Sequence, residues 1–380
     1  MDAKVLRAII QLVTSRSRIR HIVVMTELQR ILHEYVRSCG GWKRAFPSSR
    51  NGDVAVGTRF DIAEKADYWV EENFRLPRGH IDWIRQKLGI PDIVRTKNRD
   101  SCSGFVAFCM VLFKMSAPRR MCDFRDLFGG TKQRCGRVVN HVMVFLYKRF
   151  HAKLNTLDRQ RLTDEYLLQL CALHYRKNQV MDNIWGFIDA TIRPCCKPVR
   201  YQDVIYNGKD KVHAIKFQTV VTWDGMISHC NGPWAGARHD TGIYAESKLE
   251  DLLRDMPYVP SHGNPPVSLY SDIGYAFSAR LCVPYPDGRI DARHAAFNHT
   301  MSQSRITVEW AYGRVLQLWA SLDFKQNLKL FKSPIGAQYM VAVLLTNVVT
   351  CVDRSNEISM YSGCRVPTLD EYLQTLACDA

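Results

Sequence analysis

Near residue 180 the spacing of apolar residues changes, and that change restricts the fold more than any other feature of the chain. Before it, from Phe60 to Leu88 and from Ser103 to Phe150, apolar side chains recur every three to four residues, the spacing of amphipathic helices. After it come short runs rich in Val, Ile, Phe, Tyr and Thr: WGFIDATI, KVHAIKFQTVVTW, GMISHCNGPW and VSLYSDIGY. β-Branched and aromatic runs of this length, bounded by Gly, Asn and Asp, read as strands. Trp223-Asp224-Gly225 predicts a tight turn joining the second and third. Helical spacing returns over 240–256. It recurs in a long helix over about 291–320, with Phe297, Met301, Val308, Tyr312, Val315 and Trp319 on one side, and in a buried helix over 333–352. Three strands, a helix, a strand and a helix predict an α/β fold, a mixed sheet flanked by helices and preceded by an all-α region.

The spacing divides the chain into a helical N-terminal segment (1–57), a helical domain (58–160), an α/β domain (161–352) and a polar tail (353–380). The first segment reads as helices near 2–15 and 19–38 followed by a Gly/Ser/Asn-rich loop over 39–57. In the second, a helix over 103–115 precedes a short helix over 119–128, a Gly129-Gly130 turn and a longer helix over 131–149 with Thr131 as its N-cap. Short helix, turn and longer helix is the order of a helix-turn-helix. Lys132, Gln133, Arg134 and Arg137 would then lie in the first two turns of the second helix, where base edges and phosphates are reached. Val138, Val142 and Phe145 would face the core. A plain helical hairpin with a solvated basic face fits the same pattern.

Charge is distributed unevenly. Residues 1–160 hold 30 Lys and Arg against 15 Asp and Glu, whereas residues 161–380 hold 22 of each, so the whole excess of +15 lies in the first part. That asymmetry predicts a basic module that meets polyanions, joined to a neutral one with another task. The 13 cysteines follow no paired spacing and C-x-x-C is absent, which points to reduced core residues rather than a disulfide framework or zinc site. No run of about 18 uncharged apolar residues is evident, so no membrane span is expected. The N-terminal residues lack the apolar stretch of a secretory signal.

Three carboxylates stand out. Asp189 closes the apolar part of NIWGFIDATIRP, Asp272 follows the run in LYSDIGY, and Glu309 lies among bulky neighbours in ITVEWAYGRV. Separately they suit a strand-end Asp, a turn Asp and a surface Glu. Together, two at one sheet edge and one on a packed helix would repel one another unless a cation intervened. An all-oxygen ligand set favours a hard cation, Mg²⁺ or Mn²⁺, and thus phosphodiester chemistry. Arg238-His239-Asp240 adds a candidate phosphate contact, Arg238, and a candidate helix cap, Asp240. Lys211, His213 and Lys216 alternate along one strand and cannot share a face.

The ordered motifs Asp189-x-Thr191, Tyr206-Asn207-Gly208, Arg238-His239-Asp240, Asp272-x-Gly274-Tyr275 and Val308-Glu309-Trp310 resemble the PIF/Harbinger superfamily of transposases and the nucleases domesticated from them. The likeness is strong over about 184–352 and looser over 60–150. It implies an RNase H-like catalytic fold, a preceding helix-turn-helix, and a divalent-metal triad at Asp189, Asp272 and Glu309. Ala190 stands where the family usually has Gly. The resemblance further implies double-stranded DNA as substrate, cleavage or strand transfer at transposon ends, a homo-oligomer when active, a separate DNA-binding accessory protein and a nuclear location. A domesticated DNA-binding protein that keeps the fold without transposing is the alternative.

Overall fold

The computed structural model describes residues 60–377 apart from Asp287, Arg289 and Phe331, so the helices and loop expected within 1–57 lie outside the described residues. The chain begins with helices α1 (Asp67–Phe74) and α2 (Arg78–Lys87), then a small hairpin of β1 (Ile93–Arg95) and β2 (Ser101–Ser103). Helices α3 (Gly104–Ser116), α4 (Met121–Phe128) and α5 (Lys132–Leu154) follow. Thr131 caps α5 as expected, its hydroxyl accepting the Arg134 N–H at 3.2 Å. Val138 and Val142 are buried and Phe145 is half-buried. Helix α5 continues five residues past the expected end at 149 because Phe150 and Leu154 keep its apolar stripe against the core. The β1–β2 hairpin and the next helix, α6 (Asp164–Asn178), carried no clear spacing signal.

The sheet comprises β3 (Ile184–Pro194), a single-turn helix α7 (Gln202–Ile205) leading to β4 (Tyr206–Asn207), β5 (Val212–Thr222) and β6 (Ile227–Ala235). Helices α8 (Asp240–Ser247) and α9 (Leu249–Leu253) then lead to β7 (Ser268–Tyr270) and β8 (Leu281–Cys282). The main sheet runs β6-β5-β3-β7-β8; β3, β5 and β6 form an antiparallel meander, β7 and β8 add in parallel, and β4 extends the far end of β5. Helices α10 (Ala292–Leu318) and α11 (Ile335–Asp353) complete the α/β order read from the sequence. Every residue of α11 from Ile335 to Cys351 is buried. By length and mean hydropathy (1.7) this helix is apolar enough to cross a bilayer, contrary to the reading that no stretch is, but it forms the centre of the fold.

The C-terminal residues are not a polar tail. They form α12 (Glu357–Ser362) and α13 (Leu369–Ala377), with Ile358, Val366, Leu369, Tyr372 and Leu373 buried. Their anchor is the β5–β6 turn. Gly225 there has φ +79°, and a Cβ on it would fall 2.1 Å from Asn356 Oδ1, so only glycine lets Asn356 seat against the turn. Asn356 Nδ2 donates to the Gly225 carbonyl at 2.8 Å. One continuous hydrophobic core runs from Val70 to Leu373, with no gap in packing at residue 160. None of the described cysteines is bridged.

The same turn holds a buried ion pair. Asp224, fully buried, meets Arg161 Nη1 at 2.5 Å and accepts the Tyr166 hydroxyl at 3.0 Å, tying the entry to α6 to the sheet. Removing one member of such a pair strands the other charge away from water. Asp224→Ala should therefore lower stability by about 3–5 kcal/mol in urea denaturation. The double variant Arg161→Met/Asp224→Leu should lose clearly less, because it leaves no buried charge unpaired.

Candidate active site

The parallel register of β3 and β7 brings two of the three carboxylates together. Phe187 lies opposite Tyr270, so two residues further on Asp189 and Asp272 leave the ladder side by side. Asp189 does not end its strand, as the apolar run suggested. It is the sixth residue of β3, which continues to Pro194 by pairing with β5 alone, Asp189 lying opposite Thr219. Asp272 sits just beyond β7 in a tight turn, its Oδ1 accepting the Gly274 N–H at 2.9 Å. Ala190 is part of the extended strand and has no positive φ, so a Cβ there is unstrained.

The environment of Asp189 is costly for a charge. Burial, then the neighbouring Asp272 and, more weakly, Asp240 push its carboxyl up to about 6, against the opposing pull of Arg305 and of its own hydrogen bond from the Ala190 N–H at 2.7 Å. Tyr275 reports the same crowding. Burial and then the carboxylates of Asp189, Asp240 and Asp272 drive its phenol well above the usual range. Three aspartates thus converge where β3, β7 and the start of α8 meet.

Glu309 lies on α10, and although its neighbours in sequence are bulky its side chain is 60% exposed, as a surface Glu would be. Helix α10 packs against β3 and buries Met301, Val308 and Val315, while Glu309 stands at the solvent edge. Arg305, one turn earlier, connects it to the sheet. Its Nη1 donates to Asp189 Oδ2 at 3.0 Å and its Nη2 stands 3.6 Å from Glu309 Oε1. The Tyr312 hydroxyl, on the same helix, donates to the Asp189 carbonyl at 2.9 Å, fixing α10 against β3.

Asp240 does not cap α8. The N-cap position is His239, and the Asp240 carboxylate instead accepts from Lys216 Nζ at 2.9 Å. Lys216 is accordingly buried, while Lys211 is exposed in the preceding turn. A Cβ on Gly274 would lie 3.0 Å from Asp272 Oδ1 and 3.5 Å from Asp240 Oδ2, so the two carboxylates flank the same glycine. Four carboxylates, Asp189, Asp240, Asp272 and Glu309, face two cations, Arg305 and Lys216. That surplus of negative charge and the all-oxygen donor set suit a hard divalent ion. Among the described residues, however, no three acidic, His or Cys side chains stand close enough to share one ion, and Glu309 lies beside Arg305.

The predicted nucleic-acid contacts divide. Lys132 and Gln133 are exposed at the start of α5. Arg134 instead donates to the Ser101 carbonyl at 2.7 Å, and Arg137 grips Asp100 with two hydrogen bonds of 2.6 and 2.7 Å. Arg238 is mostly buried and paired with Glu246, so it is not a free phosphate contact. The sequence reading missed Arg305, and it missed Lys216 as the partner of Asp240. Arg305 stands four residues before Glu309 on a helix, a spacing that pairs charges directly and could have flagged it.

Residues 188–347 match the family model described as DDE superfamily endonuclease, a segment that contains Asp189, Asp272 and Glu309. No curated protein and no solved structure matched the chain. The match suggests a nuclease or transposase type of function for this α/β segment; endonucleases of the matched superfamily generally require a divalent metal and act on DNA.

The raised carboxyl of Asp189 gives the site a pH signature. Its folded pKa of about 6 exceeds the ordinary 3.8, so the folded chain holds this proton more tightly than the unfolded chain. The resulting stability is full below about pH 4 and is lost as pH rises through 6. Asp189→Asn should therefore be more stable than the wild type at pH 7.5, by about 1–3 kcal/mol, and nearly equal to it at pH 4 in paired urea titrations. Arg305→Leu should shift the balance the other way, destabilising mainly above pH 6.

Proposed function

We infer that the protein is a divalent-metal-dependent DNA endonuclease of the DDE type, in which Asp189, Asp272 and Glu309 form the catalytic triad. The observation that carries this reading is the β3–β7 register, which sets Asp189 beside Asp272 at a cost that a cation would relieve. The strand order β6-β5-β3-β7-β8, a meander extended by two parallel strands, supports the RNase H-like assignment. The order of motifs supports placement in the PIF/Harbinger superfamily, with transposon ends as substrate and strand transfer as a further step. The α4–turn–α5 arrangement supports a helix-turn-helix. A homo-oligomer, a DNA-binding accessory protein and a nuclear location follow from the same placement.

Asp189 and Asp272 would hold Mg²⁺ or Mn²⁺, with Glu309 as the third ligand once its side chain turns from Arg305. The bound ion would supply Lewis-acid activation of the phosphate and of the attacking water. The chain's own residues prepare the site. Tyr312 and the Ala190 N–H fix the Asp189 carbonyl and carboxylate, Lys216 restrains Asp240, and Arg305 balances charge between Asp189 and Glu309. The Arg305 contact to Glu309 also favours the second reading, a DNA-binding protein that keeps the fold without cleaving.

Nicking of supercoiled plasmid separates the two. The full-length protein should cut only with Mg²⁺ or Mn²⁺, and Asp189→Asn, Asp272→Asn and Glu309→Gln should each reduce the rate at least about a hundredfold, the order of loss expected when metal-held charge stabilisation is removed. Metal-independent cutting, or cutting that survives all three substitutions, would refute the triad. DNA binding without cutting by any of the four proteins would favour the second reading.

A further inference from the structure

Every hydrogen bond and ion pair of the Arg305 side chain among the described residues ends on Asp189 or Glu309, two carboxylates of the proposed triad. Arg314, further along α10, is tied instead to Asp353 of α11 and Glu357 of α12, both outside the site. Asp189 Oδ1 already accepts the Ala190 N–H at 2.7 Å, which leaves Oδ2 as its oxygen without a backbone donor. That oxygen is the one Arg305 holds, at 3.0 Å. A guanidinium stays charged at any pH the protein meets, so a monovalent cation sits on oxygens that a divalent ion would need. The fold also offers that guanidinium a second partner. Tyr270 lies on the α10 side of the sheet, its ring meeting Phe297 of α10 edge-on with centroids 6.4 Å apart. Its hydroxyl is buried and makes no hydrogen bond among the described residues, a cost that a donor would remove. Burial lifts the Tyr270 phenol well above its usual range while the Arg305 charge pulls it back, so the guanidinium is within electrostatic reach of an unpartnered acceptor.

We propose that Arg305 is an exchangeable counter-ion, which holds the cation's place between Asp189 and Glu309 in the metal-free site and swings to the Tyr270 hydroxyl when a divalent ion takes those carboxylates. The proposal rests on the metal-dependent reading above and adds what sets the affinity for the metal. Arg305 reaches Asp189 and Glu309 through separate nitrogens, and in this state no three acidic, His or Cys side chains are close enough to share an ion. A Mg²⁺ ion keeps its ligands at about 2.0–2.1 Å, so exchange would draw the two carboxylates together as the arginine leaves. Metal affinity is then the hold of the carboxylates reduced by the small fraction of molecules whose arginine is already out. A permanent structural bridge makes the opposite demand. Losing it would loosen Asp189 and weaken metal binding, and Tyr270 would have no part in the equilibrium.

Mn²⁺ alone, titrated at pH 7.5 into the full-length protein without DNA and followed by loss of the free-ion electron paramagnetic resonance signal, tests the exchange. Arg305→Leu should bind Mn²⁺ at least about tenfold more tightly than the wild type, a gain of about 1.4 kcal/mol. Arg305→Lys keeps a cation but not the planar fork; it should tighten binding by a smaller factor, and it carries the test if circular dichroism shows the leucine variant unfolded. Tyr270→Phe should weaken Mn²⁺ binding about threefold in the wild-type background and leave it unchanged in Arg305→Leu, a coupling that a packing role for Tyr270 would not produce. Equal or weaker binding by the Arg305 variants, or a Tyr270→Phe effect that persists without the arginine, would overturn the exchange. If Asp189→Asn still abolishes Mn²⁺ binding in that case, the metal-dependent reading stands without it. Absence of Asp189-dependent Mn²⁺ binding in the wild type and in Arg305→Leu alike would overturn both.

Discussion

Strand β3 is paired along one edge with β5 for nine residues and along the other with β7 for its first four positions, and the placement of the carboxylates depends on that double pairing. A one-residue slip would turn Phe187 toward the opposite face and exchange the side chains packed in the two layers that flank the strand. Trp185, Phe187 and Ile188, all fully buried, make that slip expensive. The hydrophobic pattern of β3 therefore specifies where Asp189 stands, and the register with β7 specifies that Asp272 stands next to it. The repulsion between the two is a consequence of core packing that neither residue can relieve by moving alone.

Relief comes from elements outside the sheet. Helix α10 carries Arg305 to Asp189 and, one turn on, leaves Glu309 in solvent, where its charge is cheap to hold and its side chain is free to turn. Helix α8 carries Asp240 to Lys216. Arg305 is borne on a helix whose apolar side is buried through Met301, Val308 and Val315, whereas Lys216 answers Asp240 of α8 from β5, within the sheet. Stability and reactivity are assigned to different faces of the same helices.

Much of this was legible before the coordinates, for reasons that differ residue by residue. Asp189 and Asp272 announce themselves because an acidic side chain at the margin of a β-branched run has few cheap positions. The β5–β6 turn was readable from Trp223-Asp224-Gly225 because a positive φ needs glycine. The partners of Arg137 and Arg238 were not legible because a cation's partner is set by tertiary contact. Asp100 lies 37 residues before Arg137, and Glu246 is reached across a helical turn that a residue-by-residue scan does not weigh. Glu309 has bulky neighbours in sequence yet stands exposed, because Val308 and Trp310 project from other sides of the helix. The C-terminal residues looked like a polar tail because Val366, Leu369, Tyr372 and Leu373 are diluted among polar neighbours. What buries them, the Gly225–Asn356 contact and the flank of α11, is more than a hundred residues away or on another element.

The continuity of the core has a consequence for how a substrate could be handled. Helix α5 packs against α11 and β6 on one side and against α3 and α4 on the other, so it belongs equally to the helical part and to the sheet. Whatever binds on its outer face is held in fixed relation to β3 by side-chain packing of native density, not by a linker. Rigid placement suits a reaction in which a reacting phosphate must arrive within a fraction of an ångström of its ligands, since misplacement there is paid for in rate. It also limits adaptation. Among the described residues one core cluster joins α5 to β3, so neither part can shift to accommodate a bound partner without breaking that packing.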